Sequence, residues 1–264
     1  MDMLEKLYAA KVRVREADEE REPLPLVRER ARNRCGERRP FARALADANG
    51  PAIVAEIKRA SPSVGLIVRS LDPAQIARDY DAAGADAISV LTEADHFLGD
   101  LAYVDIARAA ARLPILRKDF LSTRYEVAQS AAHGADAVLA IVAGLTDAQI
   151  AEMIDEARRY ALDVLVEVHN ERELRRALAA GATLLGINNR DLRTFETNLA
   201  VTEELLPLVP AGTIVISESG VRTPEDTRWL AAAGARGFLV GESLMRSDDK
   251  LAIIRALKGL GVPA

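Results

Sequence analysis

Four segments of the 264-residue chain share one pattern: an alanine-rich stretch, a glycine, a small residue, then an apolar run. They read DAAGADAISV, AAHGADAVLA, LAAGATLLGI and LAAAGARGFLV, with the glycines at Gly84, Gly134, Gly181 and Gly234. Glycine readily adopts the left-handed conformation that closes a helix, so each segment reads as a helix handing over to a strand. The glycines recur about every 50 residues. A single βα unit takes roughly 30, so each interval is expected to hold two. The second strands are IVAEIK (53–58), PILRKD (114–119), DVLVEV (163–168) and TIVISE (213–218). Strands are thus predicted near residues 53, 87, 115, 137, 164, 184, 214 and 237.

Amphipathic stretches lie between them, among them DPAQIARDYDAAG, STRYEVAQSAAHG, TDAQIAEMIDEARRYA, NERELRRALAAG and TPEDTRWLAAAG. Several open on Asp, Ser, Thr or Asn, which cap helix N-termini. Eight βα units in this length predict an α/β fold, a single (β/α)8 TIM barrel. An open doubly wound sheet is the main rival, but neither its dinucleotide glycine motif nor a P-loop is present. Residues 1–48 precede the first strand and look helical, with EEREPLPLVRERARNR as linker then helix. They are expected to form an N-terminal helical extension packed on a barrel of residues 49–264.

Composition narrows the partners. Apolar residues make up 49% and charged residues 28%, as in a soluble globular protein. A net charge of −5 argues against a nucleic-acid surface. Cys35 is the only cysteine, and His96, His133 and His169 show no zinc spacing. No run of about 18 apolar residues exists to span a membrane. The charged N-terminus lacks the apolar core of a signal peptide. A cytoplasmic location is expected, with no nucleic acid, membrane or obligatory protein partner, and a monomer.

IVAEIKRASPSVG (53–65) poses a problem. Glu56 and Lys58 interrupt an apolar strand two residues apart, hence on one face. Burying such a pair is costly. In this fold the active site sits at the C-terminal ends of the strands, where partial water access and opposite charges lower that cost. Other strand ends are polar too: Lys118, Glu167, Asn188 with Asn189 and Arg190, Glu218 with Ser219 and Gly220, and Gly241 with Glu242. The chain has only six lysines, and Lys58 and Lys118 fall within predicted strands. Buried lysine exchanges a proton where arginine cannot, which favours a functional reading over a structural salt-bridge ring with the glutamates. The loops SESGVRTPED and VGESLMRSDD follow strands 7 and 8, the usual phosphate site of the fold. Ser61 and Ser63 offer further hydroxyls. Phe97 and Phe120 follow strands in mouth loops and fit either an aromatic substrate or plain packing. Trp229 reads as packing and Cys35 as no nucleophile. His133 reads as a partner of a helix C-terminus, and His169 starts a loop.

These residues together resemble the indole-3-glycerol phosphate synthase family of tryptophan biosynthesis. IVAEIKRASPSVG is its most specific segment. LTEADHFLGD, LRKDF, DAVLAIVAGL, LVEVHNERELRRAL, GINNRDLRTF, ISESGV and VGESLMR follow in the family's order across nearly the whole chain. The resemblance implies closure of 1-(2-carboxyphenylamino)-1-deoxyribulose 5-phosphate to indole-3-glycerol phosphate, losing CO2 and water, with no cofactor or metal. It also implies roles. Lys118 is the general acid on the ribulose carbonyl and Glu167 the acid or base of dehydration. Lys58 binds an anionic group of the substrate and is a second proton donor. Glu56 positions the lysines, Asn188 holds a substrate hydroxyl, Arg190 orders the site, and Glu218 completes the acidic side. Ser61, Ser219, Gly220, Gly241 and Glu242 take the phosphate. Phe97, Phe120, Leu139 and Leu192 sandwich the aromatic ring. Glu242 departs from the serine that some members carry, and its side chain is expected to turn away from the anion.

Two alternatives remain beside it. Phosphoribosylanthranilate isomerase would want a Cys–Asp pair, for which Cys35 is misplaced. An inert barrel subunit should have lost some of Glu56, Lys58, Lys118 and Glu167.

Overall fold

The computed structural model describes residues 3–191 and 194–260. Eight parallel strands close a barrel: β1 (Ala52–Ile57), β2 (Ala87–Leu91), β3 (Ile115–Lys118), β4 (Ala137–Ile141), β5 (Asp163–Val168), β6 (Leu184–Asn188), β7 (Ile214–Glu218) and β8 (Gly237–Val240). The first and last strands close it, with Ala52 opposite Gly237 and Ala55 opposite Val240. All eight lie at the predicted positions. Strand β1 stops at Ile57, so Lys58 stands one residue beyond it rather than within it. A short antiparallel hairpin, Ala60–Ser61 with Gly65–Leu66, follows and was not expected.

Around the barrel run α4 (Pro73–Ala82), α5 (Ala102–Ala110), α6 (Arg124–Ala132), α7 (Asp147–Arg158), α8 (Glu171–Ala179), α9 (Ala200–Leu205), α10 (Pro224–Ala233), α11 (Glu242–Arg246) and α12 (Lys250–Leu257). Asp72 and Asn170 cap α4 and α8, and Thr123, Thr146 and Thr223 form reciprocal capping boxes with Glu126, Gln149 and Asp226. Each such cap satisfies orphan N–H groups and contributes about 1 kcal/mol. Gly84, Gly134, Gly181 and Gly234 all take positive φ where their helices end. Trp229 does not pack as expected: it is half-exposed and donates to Glu203 at 3.0 Å. His133 is held by Asp105 of α5, Nδ1 to Oδ2 at 2.5 Å. None of the helices among the described residues is long and apolar enough to cross a membrane.

Both faces of each strand are buried, so apolar residues run through without polar alternation. Ile53, Ala55, Ile57, Ile88 and Val90 face the helices, while Val54, Leu116, Leu165, Ile216 and Leu239 fill the barrel. The inward set continues two residues further along. Val54 is followed by Glu56, Leu116 by Lys118, Leu165 by Glu167 and Ile216 by Glu218. These four come from alternate strands, the arrangement by which a layer of such a barrel is built. The acid in the middle of IVAEIK is therefore a member of the uppermost layer of the core.

The N-terminal segment spans the barrel from mouth to base. Helix α1 (Met3–Arg21) puts Leu7 into the interior cluster beside Phe120, Leu139 and Ile141. Helix α2 (Leu24–Asn33) packs on α6, and Arg28 grips Glu156 through two bonds of 2.8 Å. Helix α3 (Phe41–Ala46) plugs the base with Phe41 and Leu45, while the amides of Arg39 and Ala42 donate to Asp136 and Asp163 at 2.8 Å.

Helix α1 is tied to β3 by buried charges. Lys11 Nζ lies 2.5 Å from Asp119 Oδ2, which also accepts from Thr92 Oγ1 at 2.6 Å and Arg117 Nη2 at 3.0 Å. Burial alone would raise Asp119, but Lys11 and Arg117 outweigh it and hold the carboxyl down at about 2, from 3.8. Asp119→Ala is expected to cost about 3–5 kcal/mol, because it strands buried cations. The stability that Asp119 adds is complete above its unfolded value of 3.8 and is lost as the pH falls toward 2. Urea unfolding of both proteins between pH 7 and pH 3 checks this. An Asp119→Ala variant as stable as the parent at pH 7 would show that the network does not support the fold.

Candidate active site

The upper layer surrounds one ammonium group. Lys118 Nζ is 2.5 Å from Glu218 Oε2, 3.8 Å from Glu56 Oε1 and 4.0 Å from Glu167 Oε2. Lys58, arriving from above, places Nζ 2.5 Å from Glu56 Oε2. Asn188, the last residue of β6, donates Nδ2 to Glu167 Oε1 at 3.2 Å. Its Oδ1 accepts the amide of Arg190 at 3.1 Å. Room for these carboxylates comes from two glycines. A Cβ on Gly186 would overlap Glu218 Oε1, and one on Gly241 would overlap Glu56 Oε2.

Three carboxylates facing two lysines set the electrostatics. Burial works against charge on Lys118, but Glu218, Glu56 and Glu167 outweigh it and raise its pKa. Burial also works against charge on Glu56, yet Lys58 and Lys118 beside it bring its pKa below the usual value. Glu218 is different. Burial pushes it up, Lys118 offsets only part of this, and Glu167 and Glu56 push it further, to about 7. One oxygen of Glu218, Oε1, is buried without a hydrogen-bond partner, as suits a carboxyl that is readily protonated.

Above this layer lies a cavity of about 400 Å³. Its walls include Lys58, Ser61, Phe97, Phe120, Leu139, Arg190, Ser219, Gly220, Gly241 and Glu242, together with Glu56, Lys118, Glu167 and Asn188. The sequence-predicted site residues that the structure describes meet there except Glu218, which does not line the cavity and reaches it only through Lys118; Leu192 lies outside the described residues. The Phe97 and Phe120 rings stand 5.9 Å apart, tilted by 40°, and Tyr8 meets Phe120 edge-on at 5.8 Å. The rim is more cationic and more hydroxylated. Arg190 Nη1 donates to Ser63 Oγ at 2.7 Å, and Ser63 is 3.4 Å from Ser61 Oγ. Ser219 and Gly220 turn with φ of 65° and 88°. A Cβ on Gly220 would press on Thr197. Glu242 directs its carboxylate along α11 to Arg246 Nε, 3.0 Å away.

Several lining residues were not anticipated. Met3, Leu4 and Leu7 of α1 roof the cavity, and Arg222 and Arg246 stand at its rim. Leu4 and Leu7 are spaced for one helix face, but the surrounding helix is so charged that the pair gives little signal. Glu93 was also missed. Its carboxylate accepts the amides of Asp95, His96 and Phe97 at 3.1, 2.8 and 2.9 Å, shaping the loop that carries Phe97.

A family model described as indole-3-glycerol phosphate synthase matches residues 4–257. The chain belongs to the indole-3-glycerol phosphate synthase family. A relative of that name from Azospirillum brasilense is 47% identical over 259 residues, covering 97% of this chain and 98% of its own. Another of that name, from Bordetella pertussis, is 46% identical over 253 residues, covering 94% and 95%. Among solved structures, a thiamine phosphate pyrophosphorylase from Pyrococcus furiosus superposes with a TM-score of 0.60 at 17% identity, over 79% of this chain and 94% of its own. That likeness concerns the barrel alone.

The position of Glu218 makes a pH dependence. Its folded pKa of about 7 exceeds the ordinary 4.5. The stability it confers is therefore present below the unfolded value and is lost as the pH rises through about 7. Between pH 5 and pH 8 the parent is expected to lose more stability than a Glu218→Gln variant. Thermal unfolding of both across that range measures the difference, and parallel curves would refute it.

Proposed function

We propose that the chain converts 1-(2-carboxyphenylamino)-1-deoxyribulose 5-phosphate to indole-3-glycerol phosphate, releasing CO2 and water. The single observation that carries this reading is Lys118 held among Glu218, Glu56 and Glu167 at the floor of a half-apolar cavity. The substrate has an aromatic end, a carbonyl to be protonated and a phosphate, and the cavity offers matching chemistry to each.

The ring and its carboxylate enter the apolar side, between Phe97, Phe120 and Leu139. Lys58 faces the substrate carboxylate. The aromatic carbon bearing the carboxylate attacks the ribulose carbonyl, and Lys118 gives its proton to the carbonyl oxygen. Three carboxylates make Lys118 a reluctant acid, so its proton passes only to a stronger base. The alkoxide forming on the attacked carbonyl is such a base. Glu56, already paired with Lys58, balances the positive charge that develops on the ring nitrogen. Loss of CO2 returns the electron pair to the ring. Glu167 then takes a proton from the carbon beside the ring nitrogen, and the new hydroxyl leaves as water with a second proton from Lys118, which its partner Glu218 has recharged. Asn188 fixes Glu167 and a substrate hydroxyl together.

The phosphate takes the rim, at Ser61, Ser219, Gly220 and the backbone of Gly241 and Glu242, with Arg190 bracing the loop of Ser63. Backbone N–H groups in such turns suit an anion. The ion pair of Glu242 with Arg246 reduces the repulsion its carboxylate would exert.

Purified protein supplied with the anthranilate-derived substrate is expected to yield an indole fluorescence and absorbance signal; its absence would end the proposal. Lys118→Ala is expected to lower kcat by at least the 10²–10⁴-fold typical of a general acid, with a much smaller change in substrate affinity. Lys118→Arg separates charge from proton transfer, because arginine keeps the charge but not an exchangeable proton near neutral pH. It should be about as inactive as the alanine variant. A folded Lys118→Arg enzyme with near-parental kcat would move the acid role to Lys58.

A further inference from the structure

His169 follows β5 directly and is nearly buried, with both ring nitrogens aimed at carboxylates. Nδ1 lies 3.0 Å from Glu173 Oε2, and Nε2 lies 3.4 Å from Glu167 Oε1. Glu173 belongs to the first turn of α8 and is itself fixed. It accepts the amide of His169 at 2.9 Å and Nδ2 of Asn170 at 2.8 Å, and its own amide is capped by Asn170 Oδ1 at 3.0 Å. A carboxylate held in this way only accepts, so Nδ1 carries a proton. Nε2 then decides the state of the ring. It is buried, without a formal hydrogen-bond partner. Bare, it would turn its lone pair on the oxygens of Glu167. Protonated, it faces an acceptor.

We propose that His169 is an imidazolium whose Nε2–H holds Glu167 Oε1, so that Glu167 works through its other oxygen, Oε2. His169 is thus a positioning residue for the base of the reaction. With Asn188 Nδ2 also on Oε1 at 3.2 Å, two donors occupy that oxygen, while Oε2 is turned toward Lys118 at 4.0 Å. The added positive charge has a second effect. It stands between Glu167 and Glu173 and offsets the negative charge of both. The groups facing His169 favour this state: Glu173 from α8, Glu167 from its own strand β5 and Glu218 from β7, with Asn188 of β6 uncharged. Burial pulls the His169 pKa down, but Glu173 and Glu167, with Glu218 behind them, outweigh it and raise the value.

The kinetic part of this inference rests on the ring-closure reading; the protonation part does not. The protein has three histidines, so ¹⁵N NMR of the labelled chain resolves them. In the parent, His169 is expected to show two protonated ring nitrogens at pH 7, with a titration midpoint above the ordinary value of about 6.5. The midpoint should fall in a Glu167→Gln variant. A neutral ring with a bare Nε2 at pH 7 would overturn the proposal, whatever the substrate proves to be. On the kinetic side, kcat of the parent is expected to decline as the pH rises through the His169 midpoint. His169→Gln, which keeps a donor but no charge, should lower kcat by roughly tenfold, less than loss of a general acid or base itself. Its KM should stay within about twofold and its kcat should lack that decline. A His169→Gln profile superimposed on that of the parent would also overturn the proposal. If the parent fails to turn over the anthranilate-derived substrate, the ring-closure reading fails, and the NMR result still decides the state of His169.

Discussion

Closure of the parallel sheet is the constraint from which the site follows. In a closed barrel every second residue of each strand points at the axis, and alternate strands contribute to one layer. Strands β1, β3, β5 and β7 place Glu56, Lys118, Glu167 and Glu218 in the same layer, directly over Val54, Leu116, Leu165 and Ile216. The distances around Lys118 are thus set by strand register. Asn188 lies opposite Glu218 and Val168 opposite Ile187 in that register. A one-residue slip in any of these strands would turn its charged member outward among the helices. The even strands make the layer possible by staying small: Gly186 in β6 and Gly241 after β8 leave the volume that two glutamates fill.

Strand β3 does two jobs with three consecutive charges. Lys118 points inward. Its neighbours Arg117 and Asp119 point outward, where Arg117 reaches Gln129 and Ser130 of α6 at 3.0 and 3.1 Å and Asp119 takes Lys11 of α1. Gln129 in turn donates to Asp18 of α1 at 2.8 Å. The helix that roofs the cavity is therefore fastened to the residues on either side of the central lysine. Roof and floor share a support, so a displacement of α1 acts on the backbone that aims Lys118. This gives residues 3–21 a part in the site that a mere outer extension would not have.

Much of this architecture was legible because its determinants are local. Helix ends need glycine, helix starts need caps, and buried parallel strands need uninterrupted apolar runs; each leaves a short-range mark. The polar strand ends stood out because they break an apolar pattern, as Glu56 does. Part of what escaped was long-range. Lys11 and Asp119 are 108 residues apart, and nothing in either neighbourhood names the other. Met3, Leu4 and Leu7 sit in a helix whose charge hides its one apolar edge. The Phe97 loop depends on Glu93, whose carboxylate serves backbone amides and so has no partner residue type to search for. His169 looked like the start of a loop, because Glu167 and Glu173, though near it in sequence, belong to a strand and a helix whose geometry alone aims both carboxylates at its ring.

The charge balance of the site explains how an acidic cluster can receive an anionic substrate. Glu56 is held ionised by two lysines, whereas Glu218 stands near neutrality because burial and two neighbouring carboxylates oppose the one lysine that helps it. A substrate carrying a carboxylate and a phosphate brings further negative charge, and negative charge nearby favours the protonated form of a carboxyl. Of the three carboxyls Glu218 is the most readily protonated, so on the ring-closure reading proton uptake there would relieve the repulsion. Lys118, released from its closest anion, is then freer to turn toward the carbonyl oxygen. On the ring-closure reading the layer would answer substrate binding by taking up a proton, and Glu218, which the strand register sets beside two other carboxylates, is the group placed to take it.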